Sequence, residues 1–173
     1  MRIAVMGAGS IGGYFGGKLS QGGNEVTLIA RGAHLDAIRS RGLKIITDDS
    51  EFIVECKATD DPGQVGPVDL VLLTVKTYHN QEAVPAMLPM IGSNTTVLCL
   101  QNGIDSFEAA ARFHGGGKVL PGAAYVDGSL KGPGVVRQIG NDVELVFGEP
   151  DGAESPRCEA ISATFRKAGI PAN

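Results

Sequence analysis

The first sixteen residues of the chain constrain its fold more than any other stretch. Arg2–Met6 is a short apolar run, β-branched in part, that predicts a buried strand, and a helical pattern follows from Ser10. Between them, Gly7, Gly9 and Gly12 have the spacing G-x-G-x-x-G. At such a turn the first glycine permits a tight bend, the second lets a pyrophosphate approach the backbone, and the third lets helix and strand pack closely. The stretch therefore predicts a dinucleotide site at a helix N-terminus.

Strand and helix patterns alternate after this first unit. Residues 2–29 read as strand, helix and strand, the length that a right-handed crossover between parallel strands requires. Residues 68–75 are the most hydrophobic run, typical of a strand covered on both faces, and 96–100 is a second such strand. Helical patterns fall at 11–21, 33–40, 80–87 and 104–113. The sequence predicts an α/β fold with a Rossmann-like, doubly wound, mostly parallel sheet.

The pattern changes after the glycines at 115–117. Strand patterns then follow without helices between them, and we expect antiparallel strands appended on the C-terminal side of the sheet. These strands are predicted at 119–125, 135–139 and 143–147, with two earlier short strands at 43–46 and 52–56. Ser155 predicts the cap of a last helix. We expect one dinucleotide-binding domain over 1–173, with parallel halves at 1–115, the appendage at 116–150 and a closing helix at 155–169.

Composition and charge exclude several classes of protein. A length of 173 residues suits one domain. Because the chain has 25 glycines, the alternative for G-x-G-x-x-G is a glycine turn that binds no ligand. A net charge of −4 and a pI near 5.3 argue against nucleic-acid binding. No apolar run approaches the ~18 residues of a membrane span, and the chain starts with a core strand. We therefore expect no membrane contact, no signal peptide and a cytoplasmic location.

Cysteine, histidine and serine residues have ordinary structural interpretations. The three cysteines are odd in number and widely spaced, so we expect reduced core thiols and no metal. His34, His79 and His114 fall near helix ends without ligand spacing, and we expect them at the surface. Ser10 and Ser106 precede helical patterns and are predicted as helix caps.

The ends of the predicted parallel strands carry the candidate binding residues. In an open α/β sheet, ligands bind beyond the carboxyl ends of the strands. The first strand ends in the glycine loop, and the others end at Ala30-Arg31, at Lys76-Thr77 and at Gln101-Asn102-Gly103. A glycine turn, an arginine, a lysine and an asparagine therefore face one crevice, which suits a ligand that carries phosphates.

Arg31 determines which dinucleotide the sequence predicts. Sites for NAD place a carboxylate about 20 residues beyond the glycines, where it accepts hydrogen bonds from the ribose hydroxyls. Here Ala30 occupies that neighbourhood and Arg31 follows it. An arginine binds a 2′-phosphate through paired N–H donors, whereas a carboxylate repels it. We predict NADPH/NADP as the cofactor, with a solvated arginine at the head of a helix as the alternative.

Lys76 and Asn102 are candidates for the reacting end of the cofactor. Lys76 ends a buried strand, where its ammonium group can meet the ribose–nicotinamide portion or a substrate carboxylate. The alternative is a lysine that extends from the strand end into water. The Asn102 amide can both donate and accept hydrogen bonds, and Gly103 beside it allows close approach, although Asn-Gly is also an ordinary turn.

Five segments, in this order along the chain, carry a resemblance to a known family. They are Ile-Ala-Val-Met-Gly-Ala-Gly-Ser-Ile-Gly-Gly at 3–13, Leu-Ile-Ala-Arg at 28–31, Thr-Val-Lys-Thr at 74–77, Leu-Gln-Asn-Gly at 100–103 and Lys-Gly-Pro-Gly-Val-Val-Arg-Gln-Ile-Gly at 131–140. Together they resemble the corresponding segments of ketopantoate reductase (2-dehydropantoate 2-reductase). The resemblance covers nearly all 173 residues, and its specificity lies in the first four segments taken in order.

That resemblance implies an NADP-dependent oxidoreductase that reduces 2-dehydropantoate, a small 2-keto acid, to pantoate on the route to pantothenate and coenzyme A. The glycine loop would hold the pyrophosphate and Arg31 the 2′-phosphate. Lys76 and Asn102 would lie near the nicotinamide ribose and the reacting ketone, in supporting catalytic roles. The residues of the glycine loop are Gly7, Ala8, Gly9, Ser10, Ile11 and Gly12.

The general acid of the family is a lysine in a second, helical domain, within a tryptophan-containing helix. This sequence has no tryptophan and ends before such a helix, so the resemblance implies a cofactor-binding domain that is inactive alone. Two alternatives stay open: a reductase of another 2-keto acid in the same family, and a dinucleotide-sensing module without catalysis. A homodimer also stays open.

Overall fold

The computed structural model of the chain describes residues 1–103 and 105–173, and within them nine strands form one sheet. The strands are β1 (Arg2–Met6), β2 (Glu25–Ile29), β3 (Leu43–Ile46), β4 (Glu51–Val54), β5 (Lys57–Thr59), β6 (Val68–Leu73), β7 (Ile91–Cys99), β8 (Val119–Gly132) and β9 (Val135–Phe147). The helices are α1 (Ser10–Gln21), α2 (Gly32–Arg41), α3 (Asn80–Ala86), α4 (Asp105–His114) and α5 (Pro156–Lys167). No helix within these ranges is long and apolar enough to cross a membrane.

Six strands run parallel to one another, in the order β5-β2-β1-β6-β7-β8. β1 and β6 lie at the centre, where the strand order along the chain reverses. This is the order of a doubly wound dinucleotide-binding sheet, and such sheets bind their ligands at the reversal. The predicted Rossmann-like fold is confirmed.

The remaining strands differ in detail from the prediction. β9 is one strand that spans both patterns predicted at 135–139 and 143–147, and its antiparallel partner β8 begins as the sixth parallel strand beside β7. The β3–β4 hairpin joins the sheet through β3, which runs parallel to β9. The sequence does not predict β5, because three residues are too few to show an alternating pattern. Ile104, the first residue of the helix predicted at 104–113, lies outside the described residues.

Helices cover both faces of the parallel sheet. α1, α2 and α5 pack on one face, against side chains such as Val5, Leu28 and Leu72. α3 and α4 pack on the other face, against Met6 and Leu73. Because neighbouring strand residues point to opposite faces, the almost unbroken apolar run of β6 contributes to both layers.

Helix α1 is enclosed by the curved sheet, and its glycines make this possible. A Cβ atom added at Gly16 would lie 2.7 Å from Leu28 Cδ2 of β2, in the parallel part of the sheet. A Cβ atom added at Gly17 would overlap the end of the Ile45 side chain of β3, on the other side. The helix therefore contacts two parts of the sheet at once, which fixes its N-terminus at the crevice between β1 and β6.

Side chains predicted as caps or surface residues have different outcomes. Ser155 caps α5 as predicted, because its hydroxyl accepts a hydrogen bond from the Cys158 N–H at 3.3 Å. Ser106 lies inside α4 and is buried, so the prediction of a cap is wrong there. The prediction of a surface position is wrong for His114, which is buried with Nε2 2.9 Å from the Val84 carbonyl oxygen. Burial lowers the pKa of His114.

Candidate functional site

The parallel register brings four strand ends to one level. Met6 of β1 lies beside Ile29 of β2 and Leu73 of β6, and Leu73 lies beside Cys99 of β7. The segments that follow these residues therefore meet at one edge of the sheet. They are the glycine loop at 7–12 and the segments 30–31, 74–77 and 100–103. This edge lies at the strand-order reversal, where doubly wound sheets bind their ligands.

The glycine loop is fixed by its neighbours in the sheet. Gly7 has a φ of +105°, and a Cβ atom added there would lie 2.7 Å from Val75 Cγ1. The Thr74 hydroxyl donates a hydrogen bond to the Gly7 carbonyl oxygen at 2.8 Å. A Cβ atom at Gly12 would overlap both that carbonyl and that hydroxyl. The packing of the loop itself therefore requires the first and third glycines.

Gly9 differs from the other two, because the chain leaves the space beside it open. A Cβ atom added at Gly9 would meet no atom within 4 Å. Gly9 is the N-cap of α1, whose first turn starts at Ser10. No side chain caps this turn. A first turn of this kind presents unpaired N–H groups and a partial positive charge. Open space in front of these groups fits a phosphate.

A pocket of about 370 Å³ opens at this edge, between the ends of β1, β2 and β6. Its size falls in the usual range for small-molecule sites, about 300–1,000 Å³. The lining includes Gly7, Ala8, Gly9, Ala30, Arg31, His34 and His79. Four of the residues predicted to bind the cofactor therefore line one pocket.

Arg31 lies at the rim of this pocket, as the N-cap of α2. Its Nη1 atom is 3.5 Å from Oε2 of Glu82 in α3, and the two side chains are 67% and 71% exposed. An exposed ion pair of this kind stabilises a protein by about 0–1 kcal/mol. A phosphate group can therefore compete with Glu82 for the guanidinium.

Lys76 and Asn102 lie at the same edge of the sheet but not in the lining of this pocket. Both side chains are exposed. Lys76 precedes a 3-10 turn at Thr77–His79, and Asn102 follows β7 by three residues. The structure thus places both residues at the predicted strand ends. The glycine loop and Arg31 share one pocket, and Lys76 and Asn102 lie outside its lining.

Gln101 holds together the segments that carry these two residues. Its buried side chain donates hydrogen bonds to the Val75 carbonyl and to Asn80 Oδ1, the latter at 2.7 Å, and accepts one from Asn80 Nδ2 at 3.2 Å. The sequence signal for Gln101 is its position at the end of β7.

His34 is half-buried and forms two hydrogen bonds in the site, so the prediction of a surface position is wrong for it. Its partners are distant in sequence, and no local pattern indicates them.

A second cavity, of about 330 Å³, lies where β7 ends and β8 leaves the parallel sheet. Cys99, Phe107 and Val146 are among the residues that line it. Burial raises the pKa of the Cys99 thiol to about 12, so the thiol stays protonated and acts as an apolar packing group. Within the described part of the chain, no cluster of three or more His, Cys, Asp or Glu residues could hold a metal ion.

Comparison with known proteins identifies the family. The sequence model of ketopantoate reductase PanE/ApbA matches residues 3–152. The chain belongs to the ketopantoate reductase family. A 2-dehydropantoate 2-reductase from Pyrococcus horikoshii is 36% identical to it over 170 residues, which cover 98% of this chain and 54% of that protein.

Solved structures show the same family fold. The 2-dehydropantoate 2-reductase from Porphyromonas gingivalis matches with a TM-score of 0.94 and 34% identity, over 100% of this chain and 63% of that one. D-mandelate dehydrogenase, solved as a ternary complex with NADH and anilino(oxo)acetate, matches with a TM-score of 0.86 and 28% identity, over 100% of this chain and 56% of that one. This ketopantoate reductase family chain thus spans little more than half the length of the relatives it matches.

Proposed function

We propose that this chain binds NADPH as the cofactor-binding part of a reductase that converts 2-dehydropantoate to pantoate, on the route to pantothenate and coenzyme A. The observation that carries the proposal is the glycine loop, with open space at Gly9, in a member of the ketopantoate reductase family. A nicotinamide dinucleotide is the class of cofactor supported by the family and by the NADH complex of D-mandelate dehydrogenase.

The pyrophosphate would bind at the N-terminus of α1. The N–H groups of the first turn, from Ser10 onward, are available there, and Gly9 leaves room for the phosphate oxygens. Ala8 is largely buried in the loop and lines the same pocket, so its backbone lies beside the space that the pyrophosphate would fill. Helix N-termini bind phosphate through these unpaired donors and through the partial positive charge of the helix.

The choice of NADPH over NADH rests on Arg31. No carboxylate occupies the neighbouring position, which is Ala30, and the guanidinium lies at the pocket rim. Two opposite charges ~4 Å apart at an effective dielectric of ~20 attract by about 4 kcal/mol before desolvation. Even a third of that free energy corresponds to about tenfold selectivity. The Glu82 carboxylate opposes this selectivity, because it repels the 2′-phosphate and shares the guanidinium.

Lys76 and Asn102 would act at the reacting end of the site. When bound, the reduced nicotinamide supplies a hydride to the ketone carbon. Lys76 would attract the carboxylate of the keto acid, and the Asn102 amide would orient the substrate or the nicotinamide ribose by hydrogen bonds. The proton for the ketone oxygen would come from a lysine outside these 173 residues. We therefore expect this chain to bind NADPH and to reduce 2-dehydropantoate negligibly.

A second candidate is the reduction of another 2-keto acid. The structural match to D-mandelate dehydrogenase favours it, because that enzyme shares this fold and was solved with a different oxo acid. One fold accommodates different substrates through changes in the site, so a member of this fold can reduce a different 2-keto acid.

Titration of the chain with NADPH and with NADH tests the cofactor assignment. We expect the Arg31→Ala variant to bind NADPH about tenfold more weakly and to bind NADH within about twofold of the unmodified chain. Arg112→Ala is the matched control, because Arg112 is an exposed arginine whose partner, Glu108 at 3.5 Å, lies on the same helix. Equal losses of affinity for both cofactors would contradict the NADPH assignment, and robust turnover of 2-dehydropantoate would contradict the placement of the proton donor.

A further inference from the structure

His34 joins the glycine loop to a turn that is distant in sequence. It lies in the first turn of α2 and is half-buried. Its Nδ1 atom accepts a hydrogen bond from the Gly134 N–H at 2.9 Å, and its Nε2 atom lies 2.7 Å from the Ala8 carbonyl oxygen. Since a backbone N–H only donates and a carbonyl only accepts, the imidazole must be neutral with its proton on Nε2. Both ring nitrogens are then satisfied.

The turn at Gly134, between β8 and β9, is itself firmly held. Gly134 has a φ of +73°, and a Cβ atom added there would lie 2.9 Å from Ala37 Cβ of α2. The Gly134 carbonyl accepts a hydrogen bond from the Lys44 N–H at 2.8 Å, where β3 begins to pair with β9. His34 therefore ties Ala8 to a rigid support made of α2, β3 and the β8–β9 turn.

The bond to Ala8 determines where the next peptide N–H points. A trans peptide is planar, so its carbonyl and its N–H point in opposite directions. With the Ala8 carbonyl directed at His34, the Gly9 N–H of the same peptide points away from His34. The preceding peptide is fixed as well, because the Ala8 N–H donates to the Ile29 carbonyl at 2.9 Å. The loop thus keeps one orientation of the backbone at the position where the phosphate would bind.

We propose that His34 is a positioning residue for the dinucleotide, which orients the Ala8–Gly9 peptide of the glycine loop through its Nε2–H. This inference rests on the proposed function, because it assumes a dinucleotide at that loop. His34 acts through the backbone, and the imidazole itself need not contact the phosphates.

Two amide substitutions separate the two hydrogen bonds of the imidazole. The side-chain amide oxygen of His34→Asn can replace Nδ1 as acceptor for Gly134, but its amide group is too short to reach Ala8. The longer side chain of His34→Gln can place an N–H where Nε2–H is, toward Ala8. We expect His34→Gln to bind NADPH within about threefold of the unmodified chain, and His34→Asn to bind about tenfold more weakly. Binding is measured by NADPH fluorescence titration, and thermal unfolding is recorded for each variant.

Arg41→Ala is the control for a purely structural effect. Arg41 also ties α2 to this turn, through Nη2 and the Pro133 carbonyl oxygen at 2.8 Å. We expect this variant to lose stability and to keep its NADPH affinity. If affinity follows the melting temperature across the Asn, Gln and Arg41 variants, or if His34→Asn binds as the unmodified chain does, His34 is only structural and the inference is wrong. If the unmodified chain binds neither NADPH nor NADH, the proposed function itself fails, and the inference fails with it.

Discussion

The three glycines of the first loop are there for two different reasons, packing within the protein and space for a ligand. Gly7 and Gly12 are required by contacts inside the protein, because added Cβ atoms would overlap neighbouring groups. Gly9 lies at the N-cap of α1 with a φ of −69°, which any residue adopts, and the chain leaves the space beside it open. A glycine that the fold does not need, at the entrance of a pocket, indicates a ligand that approaches the backbone closely.

Alanine at Gly9 should therefore weaken cofactor binding, whereas alanine at Gly12 should lower stability. We expect Gly9→Ala to cost about 1 kcal/mol of stability or less, because alanine is only a poorer N-cap, and to weaken NADPH binding at least about tenfold. We expect Gly12→Ala to cost about 3 kcal/mol, because the Gly7 carbonyl it would overlap is backbone and cannot rotate away. Urea unfolding and NADPH titration measure the two quantities. Full NADPH affinity in a well-folded Gly9→Ala variant would show that no phosphate lies against Gly9.

The sequence predicts the residues of the site whose role depends on local pattern. The glycine loop and Arg31 come just after β1 and β2, so the motif and the fold rule are sufficient to predict that they meet at one pocket. The hydrogen bonds of Thr74, Gln101 and His34 escape this reasoning, because each residue acts through partners at least twenty residues away in the chain. Only the folded register shows which of these contacts exist.

At the scale of secondary-structure elements, α1 is the helix on which the crevice depends. Its glycines form two adjacent stripes, one against β1 and β2 and one against β3 and β9. Phe15 and Leu19 of the same helix are fully buried, and the Phe15 ring packs edge-on against Phe165 of α5, with 5.9 Å between the ring centroids. The apolar period alone predicts the helix but not this enclosure, because a glycine stripe is compatible with solvent or with a second packed surface.

A double substitution tests whether α1 is enclosed by β3. We expect Gly17→Ala to destabilise the chain by about 1–2 kcal/mol, because the added methyl group overlaps Ile45 Cδ1 and outweighs the gain in helix propensity. Ile45→Val removes that Cδ1 atom and by itself costs about 1 kcal/mol. The double variant should be more stable than the sum of the two changes by at least about 1 kcal/mol.

Chemical denaturation of the four proteins measures this coupling free energy. Gly23→Ala is a useful contrast, since a Cβ atom there meets nothing within 4 Å but Gly23 has a φ of +87°, so strain alone should act. Additive effects of Gly17→Ala and Ile45→Val would contradict direct contact between the two positions.

Strand prediction succeeds where the chain is continuously apolar and fails where pairing determines the structure. β6 and β7 are evident from their buried runs, whereas β5 has three residues and becomes a strand by pairing with β2. β8 and β9 continue past their apolar segments because each is the other's partner over most of its length. The antiparallel direction of β8 and β9 follows from the absence of a helix between them, as predicted, whereas the parallel pairing of β3 with β9 joins distant segments and no local pattern indicates it.

At the scale of the whole molecule, the last helix joins the two parts of the sheet. The start of α5 is held by Glu149 and Arg157, whose side chains are only 15% and 28% exposed. Arg157 Nε donates to Glu149 Oε1 at 2.6 Å, and Arg157 Nη1 donates to the Gly117 carbonyl before β8 at 2.5 Å. The segment after α5 then returns to β9, where the Leu145 N–H donates to the Pro171 carbonyl at 2.9 Å. Arg157 and Glu149 therefore connect the start of α5, the segment after β9 and the segment before β8.

Acid should weaken this connection in a defined pH range. The Arg157 guanidinium, by its hydrogen bonds, lowers the pKa of the Glu149 carboxyl from 4.5 to about 2. Because the folded-state pKa is depressed, the stabilisation is complete above the ordinary pKa and is lost as pH falls toward 2. We expect Glu149→Gln to be less stable than the unmodified chain by about 2–3 kcal/mol at pH 7, and by about 1 kcal/mol or less near pH 2.5.

Urea unfolding of both proteins across this pH range measures the difference. Glu51→Gln is the matched control, because the Glu51 carboxylate pairs with Lys44 Nζ at 3.0 Å but is 64% exposed. An exposed pair contributes at most about 1 kcal/mol, so this control should differ little from the unmodified chain at any pH. If the gap between Glu149→Gln and the unmodified chain stays constant from neutral to acid pH, Glu149 contributes through packing rather than charge. The loss of stability in acid must then come from other carboxylates, and the charge of Glu149 does not hold α5 to the sheet.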